Sequence, residues 1–160
     1  MKTRQEDGFT LVELLIVVAI IGIVASIGVA QVMRARLAAN ESSAISSMRT
    51  VNTAQVSYAN SAANGGYATS LAILATACPG GTGFISPDLD PSLPTATPVG
   101  TGLLKSGYEV DLIAAGVGIT TDCNGTPAMS DYVATALPRT VGATGERGFN
   151  TNSGGTIFFD

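Results

Sequence analysis

An unbroken apolar segment near the start of the chain constrains its fold more than any other feature. From Phe9 to Ala30 every residue is apolar, small or hydroxyl-bearing except one, Glu13. As an α-helix this segment would reach about 33 Å, which is long enough to cross a bilayer. The sequence therefore predicts a membrane-spanning helix over residues 9–30.

Glu13 is unusual because it lies inside this apolar segment. An ionised side chain in a membrane helix costs about 2 to 3 kcal/mol on insertion scales. An isolated anchor has no use for such a charge, so the carboxylate is expected to have a cationic partner. Cleavage between Gly8 and Phe9 would supply one, since the new α-ammonium lies one helical turn before Glu13. In an assembly of parallel helices, Glu13 of one copy would instead pair with Phe9 of the next.

The residues around this carboxylate resemble a known family. Gly8-Phe9-Thr10-Leu11-Val12-Glu13 followed by an apolar segment is similar to the prepilin signal of type IV pilins and type II secretion pseudopilins. The resemblance implies that a prepilin peptidase cuts after Gly8, that Phe9 is N-methylated and that Glu13 is needed for assembly. It covers the first fifth of the chain.

Two features depart from the family pattern. The side-chain charges of the leader, residues 1–8, sum to zero, whereas family leaders are usually basic. The charge bias that orients a membrane helix is therefore weak. Many pilins also have a helix-breaking proline where this chain has Ala30, so any kink is expected at Gly22 or Gly28.

Two other interpretations of the apolar segment stay open. An ordinary secretory signal would be cleaved after the segment, where Gly28-Val29-Ala30 offers small residues at a suitable spacing. A plain single-pass anchor would need no cleavage. Neither interpretation gives Glu13 a role.

The apolar pattern changes after residue 30 and predicts an amphipathic helix over 31–62. Apolar residues recur there at steps of three and four residues or their sums. No proline or glycine interrupts the chain from Val29 to Asn64, so one helix is predicted from about Phe9 to about Ala62, with Asn64-Gly65-Gly66 as its stop. The positions of the predicted apolar stripe are Met33, Leu37, Ile45, Met48, Val51 and Tyr58.

Residues 63–160 are predicted to form a globular head. Glycine and proline are frequent over 63–106, which is interpreted as a loop region with one short helix at Tyr67–Thr76. A β-meander is predicted over 107–160, and its last two strands are joined by a hairpin at Asn152-Ser153-Gly154-Gly155. The predicted strands are Gly107–Ala115, Asp131–Pro138, Glu146–Thr151 and Thr156–Asp160.

The predicted fold class is α+β. A long N-terminal helix, whose first half spans the membrane, packs under a small antiparallel sheet of about four strands. The same fold is implied by the resemblance to pilins, and the pattern alone would not have selected it.

The chain contains two cysteines, Cys78 and Cys123. In an exported domain an even count favours a disulfide, which here would join the loop after the helix to the loop between the first two predicted strands. Closing a loop of that length would stabilise the fold by about 4 kcal/mol in the chain-entropy model. Two free thiols are the alternative. Many pilins have their disulfide in the C-terminal hairpin, so this placement differs from that pattern.

The composition argues against an enzyme and against a nucleic-acid-binding surface. The chain has no histidine or tryptophan, 12% charged residues and a net charge of -4. It has neither a nucleophile motif nor a metal-ligand cluster. Asp88 with Asp90, and Asp122 with Asn124, have a spacing that suits calcium, although solvated acidic turns are the commoner use of such residues. No catalytic residue, metal or cofactor is predicted.

The sequence thus predicts a structural subunit of a type IV pilus or pilus-like filament, a helical polymer of this chain. The resemblance implies its partners: prepilin peptidase, an inner-membrane platform protein, a cytoplasmic assembly ATPase and, in a two-membrane cell, an outer-membrane secretin. The precursor is expected in the inner membrane as a single-pass protein, and the product in an extracellular pilus or a periplasmic pseudopilus. A pseudopilin of a type II secretion system is the nearest alternative, and a membrane-anchored exported binding domain is the alternative from another class.

Overall fold

The computed structural model describes residues 8–94 and 96–160. The first element of secondary structure is one long helix. This helix, α1, spans Leu11–Ser61. A short helix, α2, spans Leu71–Ala75, and one turn of 3-10 helix spans Pro87–Leu89. Residues 1–7 of the predicted leader lie outside the described residues.

The helix α1 ends where the backbone enters the left-handed region. Asn64 and Gly65 have φ angles of 48° and 95°, and the Gly65 N–H donates to the carbonyl of Ala59 at 2.8 Å. Such left-handed residues satisfy the carbonyls that a helix leaves without partners at its C-terminus. The predicted stop at Asn64-Gly65-Gly66 is therefore confirmed.

The rest of the fold is an antiparallel sheet of six strands in sequential order. A long helix followed by an antiparallel sheet confirms the predicted α+β class, with two strands more than the predicted four. The strands are β1 (Pro98–Val99), β2 (Gly102–Lys105), β3 (Tyr108–Thr121), β4 (Pro127–Pro138), β5 (Phe149–Asn152) and β6 (Ile157–Phe159).

The two additional strands, β1 and β2, lie in the segment 63–106 that was predicted as loop. Ser106 and Gly107 connect β2 to β3 with φ angles of 49° and 76°. Two consecutive left-handed residues form the tight turn that suits the twist of a β-hairpin. Both strands are too short to show an alternating pattern. The turn residues Ser106 and Gly107 were the signal that could have predicted this hairpin.

Strand β3 extends to Thr121, beyond the predicted end at Ala115. Gly116 and Gly118 interrupt the alternation, and the register between β3 and β4 shifts at these positions. Gly116 has a φ of 75°, and a Cβ there would lie 2.2 Å from the Ser130 hydroxyl oxygen. Glycine is required at this bulge, so residues that resemble a strand end actually continue the strand.

The chain divides into two compact units between Arg36 and Leu37. In the first unit all side chains from Phe9 to Val29 are exposed. Met33, predicted on the buried stripe, also belongs to this unit and is 51% exposed. The predicted stripe therefore begins only after this division.

The second unit has its core between α1 and one face of the sheet. Met48, Val51 and Tyr58 of α1 are fully buried, as the apolar stripe predicted. Ile45 and Leu37 are partly buried. The sheet contributes the residues of its inner face, which are Tyr108, Val110 and Leu112 of β3, Tyr132, Ala134 and Ala136 of β4, and Phe149 of β5.

Polar side chains fix the position of α1 against the rest of this unit. The buried Gln55 amide donates to the carbonyl of Ala68 and accepts the N–H of Ala68, both at 2.9 Å. Asn52 accepts from the Tyr132 hydroxyl at 2.9 Å and donates to the Thr151 hydroxyl at 3.0 Å. Because a buried polar group without a partner is costly, these bonds favour one alignment of helix and sheet.

An ion pair joins α1 to the segment before β5. Arg147 donates to the Glu41 carboxylate from Nη2 at 2.6 Å and from Nε at 3.2 Å, and the Glu146 N–H donates to it at 3.2 Å. The Arg147 guanidinium also lies 5.5 Å from the centre of the Phe159 ring in β6. The hydrogen bonds from Arg147 hold the pKa of the Glu41 carboxyl below its ordinary value, although burial acts in the opposite direction.

We predict that the second unit loses stability in acid partly through Glu41. Its lowered folded-state pKa stabilises the fold above the ordinary carboxyl pKa of about 4, and this contribution is lost as the pH falls through the folded-state pKa. Glu41→Gln should flatten the fall in stability between about pH 5 and pH 3. Urea denaturation of the full chain in detergent, at a series of pH values, measures the free energy of unfolding.

Glu146→Gln is the matched control, because its exposed carboxylate makes no ion pair among the described residues. This variant keeps the pair between Glu41 and Arg147, so it should flatten the pH profile less than Glu41→Gln does. An equal flattening by both variants would contradict a specific role of Glu41.

Candidate processing and assembly site

The predicted cleavage bond between Gly8 and Phe9 lies in exposed chain just before α1. Both residues precede the helix, and the Phe9 side chain is 80% exposed. A Cβ added at Gly8 would meet no atom of residues 8–94 and 96–160 within 4 Å. Among the described residues, nothing covers this bond or would contact a Cβ at Gly8.

Thr10 and Glu13 form a capping box at the start of α1. The Thr10 N–H and hydroxyl donate to Glu13 Oε2 at 3.0 and 2.6 Å, and the Glu13 N–H donates to Thr10 Oγ1 at 3.2 Å. This reciprocal arrangement satisfies donors that a helix leaves free at its N-terminus. Thr10 was not among the predicted site residues, although a threonine three residues before a glutamate is the signature of this motif.

The capping box gives Glu13 a structural function before any cleavage. A carboxylate in the first helical turn also interacts favourably with the helix dipole. Glu13 Oε1 makes no hydrogen bond within the described residues, so one carboxylate oxygen stays available for a cation. The site can therefore both begin the helix and accept a second, charged partner.

The segment that follows Glu13 is the membrane-spanning candidate. Among the described residues, α1 is the helix whose length and composition allow it to cross a membrane. Its apolar side chains are well exposed, with Leu11, Ile16 and Ile27 at 77%, 52% and 60%. The exposed surface is apolar on all sides, as contact with lipid or with neighbouring helices requires.

The structure joins Cys78 and Cys123 by a disulfide with a Cα–Cα distance of 5.6 Å. Cys78 follows α2, and Cys123 lies in the hairpin between β3 and β4, which correspond to the first two predicted strands. Beside the disulfide, the Asn124 side chain donates to the carbonyl of Ala77 at 3.2 Å. The covalent bond and this hydrogen bond hold the same two loops together.

Asp122, one of the calcium candidates, is committed to the hairpin. Its carboxylate accepts from the Tyr58 hydroxyl at 2.9 Å and from the N–H groups of Asn124 and Thr126 at 2.9 and 2.7 Å. Burial alone would raise its pKa, but these donors outweigh burial and leave the pKa of Asp122 below its ordinary value. Burial and the nearby carboxylate raise the pKa of Tyr58, so its hydroxyl keeps the proton that it donates.

The other calcium candidates also serve local structure. Asp88 accepts from the Ser86 hydroxyl and pairs with Lys105, while Asp90 accepts from the N–H and hydroxyl of Ser92 at 2.8 and 2.6 Å. Within residues 8–94 and 96–160, no group of three or more His, Cys, Asp or Glu residues is placed to hold a metal ion. Asp88, Asp90 and Asp122 are therefore not brought together into one site.

Comparison with known proteins identifies the N-terminal segment. Residues 3–29 match the family described as the prokaryotic N-terminal methylation motif. The chain therefore carries the prepilin signal of type IV pilins and pseudopilins, which are structural proteins and not an enzyme family. No curated protein and no solved structure matches the chain.

The match confirms the resemblance that the residues Gly8 to Glu13 indicated. The motif implies processing by prepilin peptidase and assembly into a pilus. Together with the apolar helix, it is consistent with an inner-membrane precursor.

We predict that the disulfide contributes substantially to the stability of the second unit. Replacing both cysteines, Cys78→Ser with Cys123→Ser, should lower the free energy of unfolding by about 4 kcal/mol in the chain-entropy model. Thermal denaturation of the full chain, with and without reductant, measures it. Reductant should lower the melting temperature of the wild type and leave that of the double variant unchanged. A wild type that is insensitive to complete reduction would contradict the prediction.

Proposed function

We propose that this protein is a structural, non-enzymatic subunit of a type IV pilus or pilus-like filament. It is made as a prepilin, cleaved after Gly8, N-methylated at Phe9 and assembled from the inner membrane. The observation that carries the proposal is the carboxylate of Glu13, placed in the first turn of a helix whose surrounding apolar side chains are exposed.

The exposed apolar surface of α1 requires a partner in every state of the protein. Burying one large aliphatic side chain contributes about 1.5 to 3 kcal/mol, so a segment such as Leu11–Val29 is very unfavourable in water. Lipid covers it in the precursor. When the subunit leaves the membrane, the same segments of neighbouring subunits can cover one another, and this burial favours a helical bundle.

The charge of Glu13 selects how such helices pack. A carboxylate among apolar helices needs a cationic partner, because a buried charge that loses its partner costs about 3 to 5 kcal/mol. Cleavage after Gly8 creates an α-ammonium at Phe9, which the intact chain lacks. We propose that the ammonium of one subunit pairs with Glu13 of a neighbour, so that processing switches the chain from membrane protein to filament subunit.

This function involves several proteins that act on or around the filament. They are prepilin peptidase, an inner-membrane platform protein, an assembly ATPase and, in a two-membrane cell, a secretin. Assembly from the inner membrane yields either a surface pilus or a short periplasmic pseudopilus. A pseudopilin of a type II secretion system shares the prepilin signal and the same assembly chemistry, so it is the second candidate.

One prediction of the proposed function concerns processing. The mature protein should begin at an N-methylated Phe9, which mass spectrometry of the purified chain detects. Gly8→Val should leave the leader attached without disturbing the fold, because Gly8 precedes α1 and a Cβ there meets no described atom within 4 Å. Thr3→Val, which introduces valine elsewhere in the leader, should be processed normally. A mature terminus at Gln31 would instead establish an ordinary secretory signal.

Another prediction of the proposed function separates the charge of Glu13 from its capping function. Glu13→Gln keeps an oxygen that can accept from Thr10 but removes the charge, whereas Thr10→Val removes the hydroxyl and keeps the charge. Cells that make Glu13→Gln should process the protein normally and form at least tenfold fewer filaments, counted by electron microscopy. Thr10→Val should reduce filaments much less.

Glu13→Val extends this test because it removes the insertion cost of the charge as well. A simple membrane anchor would tolerate this substitution or gain membrane abundance from it. A filament subunit should reach the membrane and be cleaved, yet fail to assemble. Filaments of Glu13→Gln and Glu13→Val at wild-type abundance would refute the charge-pairing mechanism.

A further inference from the structure

Strand β3 has an edge without a partner strand along more than half of its length. Strand β2 pairs only with the start of β3, at Tyr108, Glu109 and Val110. From Leu112 to Thr121, β3 has β4 on one side and no paired strand on the other among the described residues. The backbone N–H and C=O groups of such an edge are a template for another strand.

The chemistry of this edge favours strand addition. Residues 112–121 contain no charge and no proline, two of the devices that protect an edge, and the bulge at Gly116 and Gly118 is the one such device present in this segment. Ile113, Val117 and Ile119 are 51%, 68% and 52% exposed. The Asp111 carboxylate accepts the N–H of Leu112 at 2.8 Å and so closes only the first position of the edge.

The opposite edge of the sheet is β6, which also lacks a second partner strand in the described part of the chain. It pairs with β5 through Ile157, Phe158 and Phe159, and the two phenylalanines are 52% and 64% exposed. Since the strands alternate in direction, β3 and β6 run in opposite directions. Two copies in the same orientation therefore bring β6 of one antiparallel to β3 of the other.

The two edges also match in the faces that their side chains occupy. Phe158 is opposite Asn150, Asn150 is opposite Thr135, and Thr135 is opposite Asp111. Paired residues share a face, so Phe158 lies on the outer face with Ile113. In a sheet continued across two copies, Phe158 would join Ile113 on one surface, while Val117 and Ile119 lie in the segment where the register shifts.

The position of β2 sets the offset between the copies. Following the paired residues across β5 and β4 shows which part of β3 lies level with β6 in the same sheet. Phe159 is level with Val110, and Ile157 is level with Leu112. At that level β2 already pairs with β3, through Val110, and leaves no room for another strand. A neighbouring β6 must therefore be displaced along the strand direction toward Thr121, as a stagger between successive subunits would provide.

We propose that the second units of neighbouring subunits join by strand addition, with β6 of one subunit antiparallel to the β3 edge of the next, between Leu112 and Thr121. The proposal rests on the proposed filament function, because a polar filament supplies copies in one orientation. Contacts between unlike edges propagate along such an assembly, whereas pairing of one edge with itself closes a dimer.

Cysteine cross-linking of the full chain in assembled filaments tests this contact. Phe158→Cys is combined in turn with Ile113→Cys, Val117→Cys or Ile119→Cys, and sheared filaments are oxidised and run without reductant. At least one pair should convert most of the protein into a ladder of dimers and higher multimers. Leu137→Cys with Phe158→Cys is the matched control, since Leu137 is 55% exposed but lies in β4, away from both edges.

The outcomes distinguish this proposal from the function on which it rests. Wild-type filaments with no ladder for any of the three pairs would overturn strand addition and leave the filament function intact. A wild-type chain that is processed but never assembles would overturn both. Disulfide-linked dimers of the Val117→Cys single variant would indicate that the β3 edge pairs with itself, which also overturns the proposal.

A second measurement applies if the cysteine variants do not assemble. Val117→Lys adds a charge to the proposed contact, while Val141→Lys adds the same charge at a loop position that is 72% exposed. Filaments of Val117→Lys should be at least fivefold fewer or break at lower shear, and those of Val141→Lys should match the wild type. Equal behaviour of the two variants would overturn strand addition.

Discussion

Burial of one face of α1 against the inner face of the sheet is the contact on which the second unit depends. Neither element could keep its apolar face in water, so each supplies the cover that the other needs. The helix brings Met48, Val51 and Tyr58 to this contact, together with the small buried residues Ala44 and Ala54. Gln55 and Asn52 then fix the alignment through hydrogen bonds that no sliding of the helix would preserve.

The same helix meets an opposite requirement at its N-terminal end. There the apolar side chains are exposed, and the Thr10 N–H donates to the Glu13 carboxylate at the first turn. A glutamine would cap the helix about as well, so capping alone does not explain a carboxylate in an apolar segment. The helix dipole favours the charge by only about 0.3 to 1 kcal/mol, so a full counter-charge requires a cation, and in the proposed function processing at Phe9 supplies it. In that proposal, one residue begins the helix in the precursor and selects the neighbour in the filament.

The sequence predicted most of what depends on long, regular patterns. The extent of α1 followed from its unbroken helical run, and its end followed from Asn64-Gly65-Gly66. The short strands β1 and β2 were missed because their formation depends on pairing with β3, which a local pattern does not contain. The far half of β3 was missed because Gly116, which the bulge requires, resembles a strand end. The burial of Gln55 was equally unpredictable, since its partner is the backbone of Ala68, on the other side of a turn.

The disulfide has a mechanical consequence for a chain that is pulled from its ends. Tension that enters through α1 reaches Cys78 and passes directly to Cys123, because the covalent bond bypasses the residues between them. The two cysteines are 45 residues apart in sequence. The bypassed segment, which includes β1, β2 and β3, would otherwise lengthen the chain by about 150 Å when extended. The disulfide therefore keeps this length, and the exposed edge of β3 within it, outside the path that carries force.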